Sequence, residues 1–243
     1  MLRFTLLLIP LFLALDSPKT TQYTVRYHLG QMDVRVASVD ITWEEASLDE
    51  IPTYHSVAIL RTTPFFKLFL RNDYTAETYF HRENISPLYF AHHYKNGMDE
   101  YLYHQDIGEI EFNEQKRAHE PRSLSIPYDD RTMDLLSLVH FMRFLNLSAL
   151  KQPMPMKVLM SGIPYPAEIS FLEEELEKFP GQPAHKFLIR MTEHGLMENG
   201  SGNEIYLWRS MAPDHTLLGL ETRLSTGSMS VGITPPKEAE DEN

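Results

Sequence analysis

The chain has 243 residues, of which 42% are hydrophobic and 23% charged, enough apolar material for a substantial core. Its net charge of −12 and pI near 5.3 repel phosphate backbones and anionic surfaces on average, which argues against nucleic-acid binding. The absence of cysteine removes thiol nucleophiles, disulfides and a lipid-bearing cysteine together.

Residues 1–17, MLRFTLLLIPLFLALDS, place Arg3 ahead of an uncharged run from Phe4 to Leu15 that gives way to small or polar residues and Pro18. That run of about 12 residues is well short of the ~20 needed to span a bilayer as a helix. The segment reads as a signal peptide cleaved near Ser17, against the competing readings of an uncleaved anchor or a buried first strand. The expected destination is therefore the periplasm or the exterior, as a protein neither lipidated nor integral to a membrane.

From Gln22 to Ser125 the pattern is strand after strand. In MDVRVASVDITW (32–43), Met32, Val34 and Val36 share one face, then the parity switches to Val39, Ile41 and Trp43, which predicts a bulge or sharp bend near Ala37. PTYHSVAILRTT (52–63), LFLRNDYTAETYF (68–80), PLYFAHHYK (87–95), EYLYHQ (100–105) and EIEFNEQ (109–115) follow, separated by turn signals at Asn84, Pro87, Asn96-Gly97 and Gly108. Short connections between successive strands imply an antiparallel meander.

RTMDLLSLVHFMRFLNL (131–147) breaks this pattern and predicts a buried helix. Asp129, Asp130, Thr132 and Asp134 offer N-terminal capping, and Leu135, Leu136, Leu138, Val139, Phe141, Met142, Phe144 and Leu145 cover most of the circumference. A helix of about 15 residues is marginal alone, so this one must pack against the concave face of the sheet or plug it. Strands resume at 154–160, 165–174, 184–194, 203–211, 216–224 and 228–233, and PPKEAEDEN (235–243) reads as an acidic disordered tail.

Few residues point to chemistry. Arg71 and Asp73 share a strand face and could pair with each other or with Arg61 across the preceding turn, as a structural tie or as an anion site. His92 and His93 point to opposite faces and cannot readily share a metal, while His28, His104, His140 and His194 are isolated. Asp129-Asp130 and Glu173-Glu174-Glu175 lack calcium-loop spacing, and there is no nucleophile elbow, phosphate loop or dinucleotide fingerprint. No metal or cofactor is implied.

The order of landmarks is more informative than any one of them. An opening strand ending in Tyr27 and Gly30, then RTTPFFKLFLRNDY (61–74), then a strand leading to Pro87-Leu88 and Gly97, resembles domain of unknown function family 3108. DLLSLVHFMRF (134–144) and the aliphatic-Trp strand of EIYLWRSMAPDHTLLGLETRLSTGSMSVGI (204–233) extend the resemblance over about residues 22–233. It implies an exported envelope protein of Gram-negative bacteria, mostly of the Bacteroidetes type, built as one β-rich domain with no established activity. No catalytic residue can be carried across. The chain departs from the family pattern at MSGIPYPAEI (160–169), where an Asp-Gly hairpin is expected, and at Met211-Ala212-Pro213-Asp214.

The expectation is a mainly β fold with residues 18–234 as one domain: a single curved antiparallel sheet, an open or incomplete barrel, around one central buried helix. The leading functional expectation is a non-enzymatic carrier of a hydrophobic ligand or a lipidated partner, lined by Leu138, Phe141, Met142 and Leu145 with Trp43 and Phe69 nearby. The alternatives are an envelope scaffold acting through surface contacts, and an enzyme acting on cell-wall or glycan substrates near Arg71 and Asp73.

Overall fold

The period-2 alternation is realised as fifteen strands and one helix in the computed structural model of the chain, which describes residues 19–64, 73–117, 119–191 and 203–234. The expected signal peptide and acidic tail lie outside the described residues. The first eight strands are β1 (Lys19–Leu29), β2 (Met32–Leu48), β3 (Ile51–Thr62), β4 (Tyr74–His81), β5 (Pro87–Tyr94), β6 (Gly97–His104), β7 (Glu109–Lys116) and β8 (Arg122–Pro127). After them come β9 (Thr132–Asp134), α1 (Leu135–Phe144), β10 (Met154–Met160), β11 (Ile163–Glu175), β12 (Ala184–Met191), β13 (Glu204–Ser210), β14 (Leu217–Leu224) and β15 (Gly227–Ile233).

All fifteen strands belong to one sheet in the order β8-β7-β6-β5-β4-β3-β2-β1-β15-β14-β13-β12-β11-β10-β9. The first and last strands therefore meet in its middle, where Tyr23 pairs with Ile233 and Val25 with Val231. Every pairing is antiparallel except β9 with β10, which α1 connects and which run parallel. The bulge falls where the parity switch placed it: Val25 opposes Ala37, Arg26 opposes Arg35, and Val36 is the extra residue.

The sheet curls until its two ends touch without sharing a ladder. The Gly162 N–H, in the β10–β11 turn near one edge, donates to Tyr101 Oη on β6, near the other, at 3.0 Å. Gly162 has φ +77°, and a Cβ there would lie 2.7 Å from the Phe112 ring, so the close approach requires glycine. Around this contact Phe90, Tyr101, Tyr103, Ile110, Phe112 and Ile126 pack on Leu136 and Leu159.

The helix is shorter than its apolar run suggested. Thr132, Met133 and Asp134 form β9 instead of the first helical turn, and the chain leaves the helix at Leu145, with Leu147–Leu150 a separate 3-10 turn capped by Asn146. Asp134 alone caps α1: its Oδ1 accepts from Leu136 N at 2.9 Å and Ser137 N at 2.8 Å. Asp129 instead closes the preceding turn by accepting from Arg131 N at 3.0 Å.

Strand directions sort the turns into two ends. The β1–β2, β5–β6, β7–β8, β10–β11 and β14–β15 turns, and the strand ends flanking the β3–β4 and β12–β13 connections, lie at one end, called here the far end. α1 lies toward the other: Arg143 Nη2 donates to the Asp214 carbonyl in the β13–β14 turn at 3.2 Å, and Phe144 stacks on Tyr54 near the start of β3.

Candidate functional site

α1 is seated between the two halves of the curled sheet, and each half holds it differently. Toward β10–β13, Leu138, Met142 and Leu145 sink into a core with Val158, Ile169, Phe187, Ile189 and Leu207. Toward β3, β4 and β6 the helix offers polar groups. Ser137 Oγ lies 2.9 Å from Thr78 Oγ1, His140 Nε2 lies 2.8 Å from Ser56 Oγ, and Tyr103 Oη donates to Asp134 Oδ2 at 3.4 Å. Phe80 stacks on the His140 ring at 4.9 Å, completing its enclosure.

Burial acts on these groups in opposite directions because it penalises whichever form carries charge. It pushes the His140 imidazole down to about 3, with Arg143 adding to the effect, so the ring is neutral at physiological pH. It pushes the Asp134 carboxyl up to about 6 despite the hydrogen bonds from Ser137, Leu136 and Tyr103. The C-terminus of α1 is held by Arg209, whose Nη1 donates to the carbonyls of Met142 at 3.0 Å and Leu145 at 2.6 Å. A cation at the negative end of the helix dipole explains why a guanidinium is tolerated at 2% exposure.

The third side of the helix is not filled. Val139 faces an apolar cavity of about 90 Å³ whose other walls include Tyr23, Val39, Ile41, Leu220 and Val231. These four aliphatic wall residues on β2, β14 and β15 are only half-buried, whereas Ile169, Phe187 and Ile189 on the packed side are almost wholly enclosed. Tyr23 does not make the cavity polar, because its hydroxyl donates to the Leu217 carbonyl at 3.1 Å. Two larger, open depressions lie on the outer face around β1 and β15: one of about 670 Å³ bordered largely by Ser, Thr and Gln side chains, and one of about 500 Å³ bordered by Trp208 and Phe179 together with Arg26, Lys178 and Glu221.

The residues expected to line a ligand space are thus divided. Leu138, Met142 and Leu145 are structural core, and Phe141 packs against the same cluster. Trp43 is covered by the Arg143 guanidinium, 4.8 Å from its ring centroid, and by Tyr54 edge-on at 5.3 Å. Phe69 and Arg71 lie outside the described residues. Of the polar group, Arg61 pairs with Asp40 on β2, while Asp73 accepts from Thr62 N at 3.1 Å. Val139, Val39, Leu220 and Val231 escaped selection because a helix apolar all round gives no face preference, and no local pattern reveals which strands will meet in the middle.

A strongly curled, open β-sheet whose two ends approach without pairing, with one helix against its concave side, is the incomplete barrel expected from the sequence. The chain belongs to the protein family of unknown function DUF3108, whose model matches residues 22–234. No curated protein sequence matches it. In fold it is similar to a β-barrel-like protein of domain of unknown function DUF1849 from Brucella abortus, with a TM-score of 0.55 at 8% identity, covering 89% of this chain and 95% of the other. Among the described residues no helix is long and apolar enough to cross a membrane.

Proposed function

We propose that the protein is a non-enzymatic binding protein, exported to the periplasm or beyond, that shelters the hydrocarbon part of a ligand or of a lipidated partner in its interior. The observation that supports this reading is the apolar cavity beside Val139, bounded in part by half-buried aliphatic side chains at the middle of the sheet. At about 90 Å³ it is far below the 300–1,000 Å³ typical of whole-ligand pockets, and suits the end of an acyl chain. Its walls offer hydrocarbon no competing polar partner.

The test is native and denaturing mass spectrometry of protein exported in a Gram-negative host and purified without detergent, beside the cavity-filling variant Leu220→Trp. The expected result is a solvent-extractable acyl species on the wild type that is depleted in a folded Leu220→Trp protein. A bare wild type that also fails to take up a fluorescent fatty acid would overturn the proposal. It would favour a scaffold, for which β8, paired among the described residues with β7 alone, supplies an edge. The denatured mass reports the cleavage site in either case.

A further inference from the structure

The net charge of −12 is not spread evenly along the barrel. The described residues in the far-end turns, together with the two strand residues nearest each turn, carry seven Lys and Arg against four Asp and Glu. Counted the same way, the turns at the helix end carry eleven Asp and Glu against seven Lys and Arg, with Lys19 at the start of β1 included.

Pairing sharpens the contrast. At the far end Asp33, Glu114 and Glu204 are already bound to Arg26, Lys116 and Arg190. Among the described residues no carboxylate pairs with Arg35, Lys95, Arg117, Arg122 or Arg223, and all five are exposed. The strands between the ends, such as the 11-residue β1, span about 35 Å, several Debye lengths of about 8 Å at physiological salt. The acidic end is therefore screened from whatever meets the basic one. Leu29 and Met32, 43% and 57% exposed, flank the β1–β2 turn near Arg35, and Ile163, 50% exposed, stands at the β10–β11 turn; Ile107 and Leu176 protrude as far at the helix end, so it is charge that separates the two ends. Exposed cations with protruding aliphatic tips match an interface of anionic headgroups over hydrocarbon.

We propose that the far end of the barrel docks on an anionic lipid surface, with Arg35, Lys95, Arg117, Arg122 and Arg223 facing headgroups and Leu29, Met32 and Ile163 entering the interface. This goes beyond the binding-protein reading and does not need the interior to hold a ligand. The test is co-sedimentation of the purified protein with vesicles of phosphatidylcholine alone and of phosphatidylcholine mixed with one third phosphatidylglycerol. The comparison proteins are the far-end variant Arg117→Glu/Arg122→Glu, the tip variant Met32→Asp and the helix-end control Lys151→Glu, each checked for an unchanged melting transition.

The expected result is binding to the phosphatidylglycerol vesicles that raised salt abolishes. The far-end variant should lose about tenfold or more in partitioning, Met32→Asp a smaller factor, and Lys151→Glu none. No binding to the anionic vesicles, equal binding to both kinds, or an equal loss in the helix-end control would each overturn the proposal.

Discussion

Two sides of the same short helix meet different surroundings. On one, Leu138 and Met142 disappear among Ile169, Phe187 and Ile189; on the other, Val139 looks across an unfilled space at half-buried Val39, Leu220 and Val231. The side chains are alike in chemistry, so the difference comes from the strands. β10–β13 fold back on the helix from one side and β3–β6 from the other, which leaves the sheet's middle, β14-β15-β1-β2, as the stretch neither side covers. Hydrophobicity alone does not say whether a side chain holds the fold together or waits for an occupant.

The largest effect expected from breaking this arrangement is on pH dependence. His140, depressed to about 3 from 6.5, binds its proton more readily in the unfolded chain, so its contribution is complete above pH 6.5 and lost as pH falls toward 3, about 5 kcal/mol in all. Asp134, raised to about 6 from 3.8, binds its proton more readily in the folded chain, so stability falls by about 3 kcal/mol as pH rises from 3.8 through 6. Between pH 4 and 6 the two slopes oppose each other. Relative to wild type, His140→Gln should gain stability on acidification through that window and Asp134→Asn should lose it, read from urea denaturation at a series of pH values. Parallel wild-type and variant profiles would show that neither group titrates as its burial requires.

Next comes Met142→Ala, which removes a side chain of 0% exposure from the packed face and should cost about 3 kcal/mol by chemical denaturation. Gly162→Ala should cost about 2 kcal/mol, because the added methyl meets Phe112 and the backbone has positive φ. Smallest is Val139→Leu, which adds a methylene toward the cavity and should change stability by less than about 1 kcal/mol in either direction. A loss comparable to that of Met142→Ala would show that the two sides of α1 are equally packed.

Much of the fold was legible residue by residue. The parity switch in β2 marked the bulge at Val36, and the capping and apolar residues of 131–147 marked the helix. The helix boundary was not legible, because Asp129, Asp130, Thr132 and Asp134 all suit an N-cap and only the pairing of β9 with β10 decides that Asp134 fills it. β8 went unmarked as a separate strand, since RSLSIP is short, half polar and ends in proline. The candidate site was least legible. Val139 adjoins Leu138 in sequence, and the cavity depends on β1 meeting β15, a pairing that neither strand encodes by itself. The charge separation was hidden for the same reason: only strand direction collects Lys95, Arg117 and Arg223 at one end.

The meeting of the first and last strands also sets an order for folding. Each half of the sheet is a meander of neighbouring strands that can form as the chain is made, but β1 gains its second partner only when β15 exists, and Thr24 and Thr234, 210 residues apart, share a hydroxyl hydrogen bond across that join. Until the final strand arrives, β1 is an exposed edge with Tyr23 and Val25 uncovered. A chain truncated before Gly227 would therefore lose more than its last strand: it would split the sheet into two separate edges and open the interior along its centre.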